Sequence, residues 1–550
     1  MLSRRALLKV SAATLAAPAV LATAGPASAT ASTLSIDLVN NTGSNTVYAY
    51  VSGLALDNNN AWCLVRSDGR TPYYPTSPSA TGTPLPVDCA IPLNASGAAA
   101  RRITIPRLAG GRLWFSIDQK LTFLLNPGPA LVEPSVTNSS DPNIDIQWAF
   151  SEFTFNASEL YANVTAVDFV SIPVGLKLTN TSGGTQTVQG LPNGALDTIC
   201  AGLTAQHAAD GQGWDQLIVT SGGQNLRALS PTNGIVRNSS LFSGYYASYV
   251  DQVWSKYAST PLTVDTQAAW GAVTGTVSGG LLTFPGVGTF AKPSAADIFS
   301  CNSGPFAVGN DEMGAITARL TAALNRSTLL ANANQPDGEN PAAYYTASPT
   351  NHYARLVHAT SLDGRGYAFP YDDVVPSGGT DQSGAVRDSN PSLLTVTLGA
   401  VHGSGTTPPS NGGSTSAFST IQAASYSSQN GTQTETTTDT GGGQDVGYIA
   451  NGDWLAYANV DFGSGGATQF VARVASGAAT GVSGLVQVAL DSPAATPVGS
   501  FALGSTGGWQ NWQTVPANIS KVTGTHTVYL TFASGQPADF VNLHWFNFKA

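Results

Sequence analysis

The chain has 550 residues, of which only 10% are charged, and carries a formal net charge of −10. That length allows about two to four domains, and the acidic balance without a basic patch argues against a nucleic-acid-binding protein. A polar but weakly charged surface suits a neutral partner such as a polysaccharide.

The N-terminal segment has the pattern of an export signal. Paired arginines, Arg4 and Arg5, precede an alanine-rich apolar stretch through Leu21, and residues 27–29 form a small-residue cleavage site. This pattern predicts twin-arginine export from a bacterium, with residues 1–31 assigned to the signal and a mature start near Thr30 or Ser32. The apolar stretch is too short and too rich in alanine to be a typical membrane-spanning anchor. We therefore expect a secreted, extracellular protein with no membrane contact after processing.

Strand-like segments dominate the first part of the chain. Alternating apolar residues at 34, 36 and 38 and the run 47–51 predict two strands, with residues 40–43 as a hairpin turn between them. Further strand-like runs cover 102–105, 112–117 and the segments around Glu152 and Asp168. Residues 33–180 are therefore predicted to be all-β, as a sandwich or a barrel.

The pattern changes after residue 185. Residues 193–203 are compatible with a helix, and apolar residues recur at helical spacing within 245–257 and 313–324. These features predict a mixed α/β insertion at about 185–335, followed by strands from 353 to 401. A β-domain that faces a mixed domain leaves a cleft between them, and such clefts are common ligand sites.

The clearest domain boundary is the stretch 403–414, which is rich in Gly, Ser, Thr and Pro. It lacks apolar periodicity and predicts a flexible linker, placed at 401–415. The linker separates an N-terminal unit at 32–400 from a C-terminal unit at 416–550. Alternating runs within 469–474, 486–490 and 527–532, joined by Gly-rich turns, predict a jelly-roll β-sandwich for the second unit.

Cysteine and histidine usage bears on disulfides and metals. An even number of cysteines in an exported chain favours disulfides, and sequence order alone favours Cys63–Cys89 and Cys200–Cys301 while leaving the other pairings open. The sequence contains no CxxC pair and no HExxH or His-x-His cluster. We therefore predict no cofactor and no catalytic metal.

Two carboxylates lie in sequence where carboxylates are costly. Glu152 is in the aromatic segment 148–156, and Asp168 is in the apolar segment 167–170. An ionised carboxylate among apolar residues must be paired, hydrogen-bonded or protonated, so these residues are candidates for an acid/base pair. The alternatives are a solvated sheet face or a structural hydrogen-bond network.

The N-terminal unit resembles glycoside hydrolase family 64, the β-1,3-glucanases that release laminaripentaose. The resemblance covers nearly all of 33–400 and rests on DQK at 118–120 with NPGP at 126–129, SEFTFN at 151–156, VDFVSIP at 167–173 and DGRGYAFPYDDV at 363–374. The last motif is also similar to the closing motif of thaumatin-like proteins. The resemblance implies a mostly β fold, with a thaumatin-like β-barrel domain and a mixed α/β domain forming a wide cleft.

The same resemblance implies endo-type hydrolysis of β-1,3-glucan with inversion at the anomeric carbon, with Glu152 as general acid and Asp168 as general base. Inversion requires carboxyl groups roughly 6.5–9.5 Å apart. Apolar neighbours would raise the pKa of the acid, although strict alternation places Phe153 and Phe155 on the face opposite Glu152. The implied glucose-binding residues are Asp141, Thr154, Asn156 and Tyr161.

Several further residues are predicted to be structural. Residues Asp363, Arg365, Asp372 and Asp373 lie in turn-rich sequence, where such side chains often bond to the backbone. The tryptophans at 114, 148, 214, 454, 512 and 545 are assigned to the cores, and no catalytic role is given to the histidines at 352 and 358 because the implied mechanism needs none.

The C-terminal unit resembles the family 6 carbohydrate-binding modules. The resemblance rests on IQA at 421–423, VGYIANGDWL at 446–455, GGWQNWQTV at 507–515 and NLHWFNF at 542–548. It implies that Tyr448 and Trp509 sandwich a sugar ring and that Asn542 hydrogen-bonds it. Ala424 and His544 replace acidic residues that serve a structural calcium ion in the family. Because a hard cation needs several oxygen ligands, we expect no calcium here, or a weakly bound one.

These observations together predict a secreted, monomeric endo-β-1,3-glucanase that acts on curdlan, laminarin or fungal cell-wall glucan, with a module that holds it at the polymer. One alternative is a non-catalytic thaumatin-like glucan-binding protein, against which the presence of both carboxylates argues. A second alternative is a hydrolase of another polymer, such as mixed-linkage glucan.

Overall fold

The computed structural model describes residues 30–309, 311–402, 415–426, 428–439, 444–463 and 465–550. These residues form two compact units. The described residues up to 402 belong to the first unit, and those from 415 onward belong to the second. The predicted linker lies almost entirely outside the described residues, as does the predicted signal segment apart from Thr30 and Ala31. In the part of the chain that the structure describes, no helix is long and apolar enough to cross a membrane.

In the first unit, more of the described residues lie in strands than in helices. The strands are β1 (Thr33–Asn40), β2 (Val47–Ala55), β3 (Ala61–Val65), β4 (Pro72–Tyr73), β5 (Thr83–Pro84), β6 (Ile91–Pro92), β7 (Arg101–Pro106), β8 (Leu108–Ile117), β9 (Leu124–Asn126), β10 (Ala130–Val132), β11 (Trp148–Phe155), β12 (Leu160–Asn163), β13 (Phe169–Val170), β14 (Val174–Asn180), β15 (Thr185–Val188), β16 (Ile218–Ser221), β17 (Gln224–Leu229), β18 (Leu262–Asp265), β19 (Ala272–Ser278), β20 (Leu281–Phe284), β21 (Gly288–Phe290), β22 (Asn334–Gln335), β23 (Ala385–Asp388) and β24 (Pro391–Leu398). The helices are α1 (Ala195–Asp210), α2 (Pro231–Arg237), α3 (Ala247–Tyr257), α4 (Ala295–Ser300), α5 (Glu312–Arg326) and α6 (His352–Thr360).

Two sheets form the β-body of this unit. One has the order β15-β14-β24-β1-β7, and the other has the order β23-β12-β11-β8-β2-β3-β4, with β6 beside β2. Alternate residues of β1 (Leu34, Ile36 and Leu38) are at most 2% exposed and contribute to the hydrophobic core of the unit. The predicted mostly β fold class is confirmed.

The predicted hairpin at residues 40–43 is wrong. β1 pairs with β7 and β24, whereas β2 pairs with β3, β6 and β8, so the connection carries the chain from one sheet to the other. The Asn40 side chain organises this crossing, because its amide donates to the carbonyl oxygens of Ser44 at 2.9 Å and Asn94 at 3.0 Å. A turn-forming Asn therefore directs a change of sheet here rather than a reversal within one sheet.

The helices predicted from apolar spacing are confirmed as α3 and α5, and residues 195–203 of the segment compatible with a helix lie in α1. Residues 352–360 form α6 instead of the predicted strand. Asn351 explains this difference, since its side chain accepts a hydrogen bond from the Ala354 N–H at 3.0 Å and caps the helix. The mixed part contributes two small sheets, with the orders β13-β17-β16 and β21-β20-β19-β18-β22.

The two favoured disulfides are not present in the structure. All four cysteines are free and buried. Cys200 lies in α1, whereas the Cys301 Sγ packs against the Asn325 amide of α5 at 3.6 Å. Burial raises the pKa of each thiol to about 12. Each cysteine is therefore a buried, protonated thiol in this structure.

A buried ionic cluster fixes the segment that follows α6. Arg326 donates to the Asp372 carboxylate at 3.2 Å, and His358 Nε2 lies 2.9 Å from the other oxygen of the same carboxylate. The guanidinium also donates to the carbonyl oxygens of Asp372 and Val374. Asp363 pairs with Arg365 at 2.8 Å. The structural roles predicted for Asp363, Arg365 and Asp372 are confirmed, and that of Asp373 stays a prediction.

The cluster makes stability depend on pH. Burial lowers the pKa of His358, but the Asp372 carboxylate and the Gly364 carbonyl outweigh it, and the pKa lies above its usual value. A raised histidine pKa stabilises the fold fully below the pKa of the unfolded chain, near about 6.5, and this stabilisation is lost as the pH rises through the folded pKa. His358→Gln should therefore lower Tm more at about pH 5 than at about pH 9.

His352 provides a control in which stability should depend on pH in the opposite direction. Burial, followed by the charge of Arg355, lowers the pKa of His352 to about 4. The unfolded chain then binds more protons at acid pH, so wild-type His352 weakens the fold there. The Tm loss in His352→Gln should be larger at alkaline pH, and equal pH trends in the two variants would contradict both assignments.

The second unit is a β-sandwich, as predicted. The strands among its described residues are β25 (Thr415–Ser416), β26 (Ile421–Gln422), β27 (Ser428–Asn430), β28 (Gln433–Thr436), β29 (Gln444–Ile449), β30 (Trp454–Asp461), β31 (Ala467–Ser476), β32 (Gly484–Leu490), β33 (Gly499–Leu503), β34 (Gly508–Val522), β35 (Thr525–Ser534) and β36 (Val541–Lys549). The orders β25-β30-β35-β32-β33 and β34-β31-β36-β29-β28 are joined by the pair Gly499 and Ile519. The unit has its own hydrophobic core.

The tryptophan assignments are confirmed in the first unit and partly wrong in the second. Trp114, Trp148 and Trp214 are at most 1% exposed. In the second unit Trp512 is buried, but Trp454 and Trp545 are only half-buried.

Candidate active site

The central strand β11 presents Glu152 between two neighbouring strands. Glu152 lies opposite Arg112 of β8 and opposite Asn163 of β12. Because side chains alternate along a strand, Glu152 shares its face with Phe150 and Thr154. Phe153 and Phe155, at 3% and 0% exposure, point into the core on the other face. The predicted alternation is therefore confirmed, and these two phenylalanines do not cover the Glu152 carboxyl.

Arg112 holds the Glu152 carboxylate in place. Its guanidinium donates to Glu152 Oε1 at 3.2 Å and to Glu133 Oε2 at 3.1 Å. It lies 4.5 Å from the ring centre of Phe150 and 5.3 Å from that of Trp114. A guanidinium that is stacked on rings and bonded to two carboxylates has little freedom to move. Arg112 therefore fixes the position of Glu152.

The mixed part of the unit holds Asp168. The Asp168 carbonyl oxygen accepts hydrogen bonds from the Ser230 N–H at 3.0 Å and the Asn233 amide at 2.8 Å. The same amide lies 3.2 Å from Asp168 Oδ1. Asp168 directly precedes β13, which pairs with β17. Asp168 is therefore held by Ser230 and Asn233 of the mixed part through backbone and side-chain bonds.

Electrostatics place the two candidate carboxylates in one cluster. Burial is the largest cause that raises the pKa of Glu152, the Arg112 charge lowers it, and the Asp168 charge raises it, so that it lies above its usual value. Burial lowers the pKa of Arg112, but the charges of Glu133, Glu152 and Asp168 reverse this effect. A carboxyl whose pKa is raised in this way, beside a second carboxylate, suits proton transfer.

Two of the implied glucose-binding residues lie on the surface beside Glu152, and the other two organise loops through hydrogen bonds to the backbone. Thr154 lies on the Glu152 face of β11, directly opposite Tyr161 of β12, so both line the same surface. Asn156 Oδ1 accepts the N–H groups of Ser158 and Glu159 and shapes the turn after β11.

Asp141 is the most enclosed of these residues, at 8% exposure. Its two oxygens accept bonds from the Ser135 and Asn143 N–H groups, at 2.9 Å and 2.8 Å. These bonds organise the loop 135–143. The sugar contacts of all four residues stay a prediction.

Sequence reasoning missed Arg112, Glu133 and Asn233. An arginine in the middle of an apolar strand was a usable signal for Arg112, because a buried cation requires carboxylate partners. Glu133 and Asn233 carry no comparable local signal. Only the folded chain brings them to the site. Glu133 accepts a hydrogen bond from Arg112, and Asn233, near the start of α2, bonds to Asp168.

Two substitutions around Arg112 should move the pH profile in opposite directions. Arg112→Met removes the cation that lowers the Glu152 pKa, so the alkaline limb of kcat/KM should shift to higher pH. Glu133→Gln removes a charge that raises this pKa, so the alkaline limb should shift to lower pH. Rates measured across pH on a soluble glucan check both, and shifts of the same sign would contradict the assignment of Glu152 as the acid.

The second unit presents two exposed aromatic side chains around a buried amide. Tyr448 and Trp509 are 51% and 37% exposed. The Asn542 amide, which is almost fully buried, donates to the Trp509 carbonyl at 3.2 Å and to Glu435 Oε1 at 2.6 Å. The Asn542 side chain also packs against Gly447, the residue before Tyr448. The three residues implied by the family resemblance therefore lie together.

His544 occupies a different environment from a calcium ligand. Its Nδ1 lies 2.8 Å from Asp439 Oδ2, and Arg473 donates to both oxygens of the same carboxylate at 2.9 Å and 2.7 Å. Asp439 is thus neutralised by protein groups. Among the described residues, no group of three or more His, Cys, Asp or Glu side chains is arranged to hold a metal ion.

Comparisons with known proteins agree with this geometry. A family model of the glycoside hydrolase family 64 β-1,3-glucanases matches residues 32–398, and the model of carbohydrate-binding module family 6 matches residues 422–550. A glucan endo-1,3-β-glucosidase from Cellulosimicrobium cellulans is 34% identical over 425 residues, which cover 75% of this chain and 73% of that protein.

A crystal structure of a laminaripentaose-producing β-1,3-glucanase in complex with laminaritetraose is similar to the first unit, with a TM-score of 0.60 and 34% identity over 68% of this chain and 99% of that chain. The second unit is similar to part of an endo-1,4-β-xylanase A from Thermoclostridium stercorarium, with 44% identity over 117 residues, 21% of this chain and 22% of that protein. Both family resemblances are confirmed, and the chain belongs to glycoside hydrolase family 64, the β-1,3-glucanases.

Proposed function

We propose that the protein hydrolyses internal bonds of β-1,3-glucan with inversion and releases laminaripentaose. The observation that carries this proposal is the fixed Glu152 carboxyl with a raised pKa, beside Asp168, in a family 64 chain. In this mechanism Glu152 gives its proton to the leaving glycosidic oxygen. Asp168 takes a proton from the water that attacks the anomeric carbon from the opposite face.

Arg112 and Asn233 act as positioning residues in this mechanism. Arg112 holds Oε1 of Glu152, and in this mechanism the other oxygen carries the proton. Asn233 orients Asp168 through its carbonyl and carboxylate oxygens. Thr154 and Tyr161 lie on the surface beside Glu152, which supports a role for them in holding glucose units.

The products of curdlan hydrolysis test the proposal. Mass spectrometry should show a five-glucose product as the main species, and Glu152→Gln should not release it. Proton NMR of the first products should show the α-anomer, because inversion converts a β-linkage to an α-hydroxyl. A β-anomer would contradict inversion, and the absence of sugar release from wild type would favour a glucan-binding protein without catalytic activity.

We propose that the second unit holds the enzyme on the insoluble polymer through Tyr448, Trp509 and Asn542. Aromatic faces pack against the C–H faces of sugar rings, and both rings are exposed. Tethering raises the local substrate concentration without changing the chemistry. The combined variant Tyr448→Ala and Trp509→Ala should bind curdlan at least about tenfold more weakly, a loss of about 1.4 kcal/mol, and should keep its rate on soluble oligosaccharides. A pull-down assay and oligosaccharide kinetics check this, and an equal loss on soluble substrates would contradict it.

We also propose export as a monomer. Cleavage after Ala29 would make Thr30 the first residue, and Thr30 is already anchored in the fold. Its N–H donates to the Ala157 carbonyl at 3.0 Å, and its hydroxyl donates to the Asn156 carbonyl at 2.6 Å. The intact mass of the protein recovered from the culture medium tests the start site, and its sedimentation tests the oligomeric state.

A further inference from the structure

A surface of the first unit runs from the candidate active site along Tyr161 and Tyr367. The Tyr367 carbonyl accepts a hydrogen bond from the Ala166 N–H at 2.7 Å, so Tyr367 is bonded to the segment just before Asp168. Burial, followed by the charges of Asp373, Tyr161 and Glu152, raises the pKa of Tyr367. Burial, followed by the charges of Asp373 and Asp381, raises the pKa of Tyr161. Asp373 follows Tyr367 by six positions in the closing motif, and its charge acts on both tyrosines.

The segment after Asp373 anchors a tight turn of the mixed part. Residues 266–271 connect β18 to β19. The Gln267 amide donates to the Val375 carbonyl at 2.8 Å, and Arg319 of α5 donates to Gln267 Oε1 at 2.9 Å. At the base of the turn, the N–H and the hydroxyl of Thr266 donate to the Gly271 carbonyl at 3.0 Å and 2.7 Å. The turn is thus fixed against the segment that contains Asp373.

Trp270 lies in this turn and is 45% exposed. The Gly271 N–H donates to the Ala268 carbonyl at 3.1 Å, so Trp270 occupies the third position of a four-residue turn. A large exposed indole on a turn that is hydrogen-bonded to the segment just after Asp373 has the properties of a platform for a sugar ring. Aromatic rings give such contacts at low entropic cost because few torsion angles must be fixed.

We infer that Trp270 stacks against a glucose unit of the substrate and forms a distal subsite that continues the glucan path from Tyr161 past Asp373. This inference rests on the proposed function. A distal subsite is occupied only by chains long enough to reach it. Trp270 is therefore a specificity residue that makes the enzyme favour long chains, and it takes no part in proton transfer.

Kinetics on laminari-oligosaccharides of increasing length test the inference with the full chain. Trp270→Ala should lower kcat/KM about tenfold for the longest substrates, mainly through KM, which corresponds to about 1.4 kcal/mol of binding. For the shortest substrates that wild type hydrolyses, the change should be below about twofold. Trp270→Phe should recover most of the loss, because it keeps an aromatic face.

Leu281→Ala is the matched control. Leu281 is 40% exposed and lies across the β19–β20 turn, at the opposite end of β19 from Trp270. Its replacement should leave the rates at all lengths unchanged. An unchanged length profile in Trp270→Ala, an equal loss at every length, or the same loss in Leu281→Ala would each overturn the inference. Failure of the proposed function is distinguishable, because wild type would then release no sugar at all.

Discussion

Glu152→Gln should reduce kcat on β-1,3-glucan by about 10²–10⁴-fold, the range that general acid catalysis contributes. Glutamine keeps the oxygen that accepts the Arg112 hydrogen bond at 3.2 Å, so the side chain should stay in position. What it loses is the acidic proton that the leaving oxygen requires. Initial rates on laminarin measure the loss, and an unchanged Tm shows that the fold is intact.

Glu133→Gln is the control for this substitution. It makes the same chemical change in the other carboxylate that Arg112 binds, at 3.1 Å, and should retain most of the activity at the optimum pH. An activated aryl glucoside provides a second check, because its leaving group needs little protonation and should restore much of the Glu152→Gln rate. If this substrate is slowed as strongly as laminarin, Glu152 does not act as the acid.

The parts of the fold that could be predicted are those that local sequence determines. Apolar residues at helical spacing predicted α3 and α5, because each helix buries one face within a single segment. Alternation along β11 predicted the core positions of Phe153 and Phe155 for the same reason. The turn after β1 was wrong because it was interpreted from its residues alone, and which sheet a strand joins depends on partners distant in sequence.

The candidate site shows the same division. Glu152 and Asp168 stood out because carboxylates are costly in apolar strands. Their supports did not, because Arg112 is 40 positions from Glu152 and Asn233 is 65 positions from Asp168. Arg112 and Glu152 meet because they lie opposite each other in the register of β8 and β11. Asn233 meets Asp168 because the start of α2 packs there. The sequence shows Arg112 as a cation in an apolar strand, but it does not show which carboxylate Arg112 meets.

Asp168→Ala should likewise reduce kcat by about 10²–10⁴-fold, for a different reason. The attacking water loses its base, while the Asp168 backbone carbonyl keeps its bonds to Ser230 and Asn233. The vacated space lies on the face from which the nucleophile attacks. Azide is small, anionic and needs no base, so adding it should restore turnover and yield an α-glycosyl azide.

Mass spectrometry and NMR of the azide product distinguish the roles of the two carboxyl groups. Glu152→Ala should not be rescued, because azide cannot protonate a leaving oxygen. Asn233→Ala should lose less activity than Asp168→Ala, since it removes only the amide that orients Asp168 and leaves its carboxylate. A β-glycosyl azide from Asp168→Ala would mean two successive displacements, the first by Glu152 as a nucleophile and the second by azide on the covalent intermediate. That result would contradict inversion and would make Asp168 the residue that protonates the glycosidic oxygen.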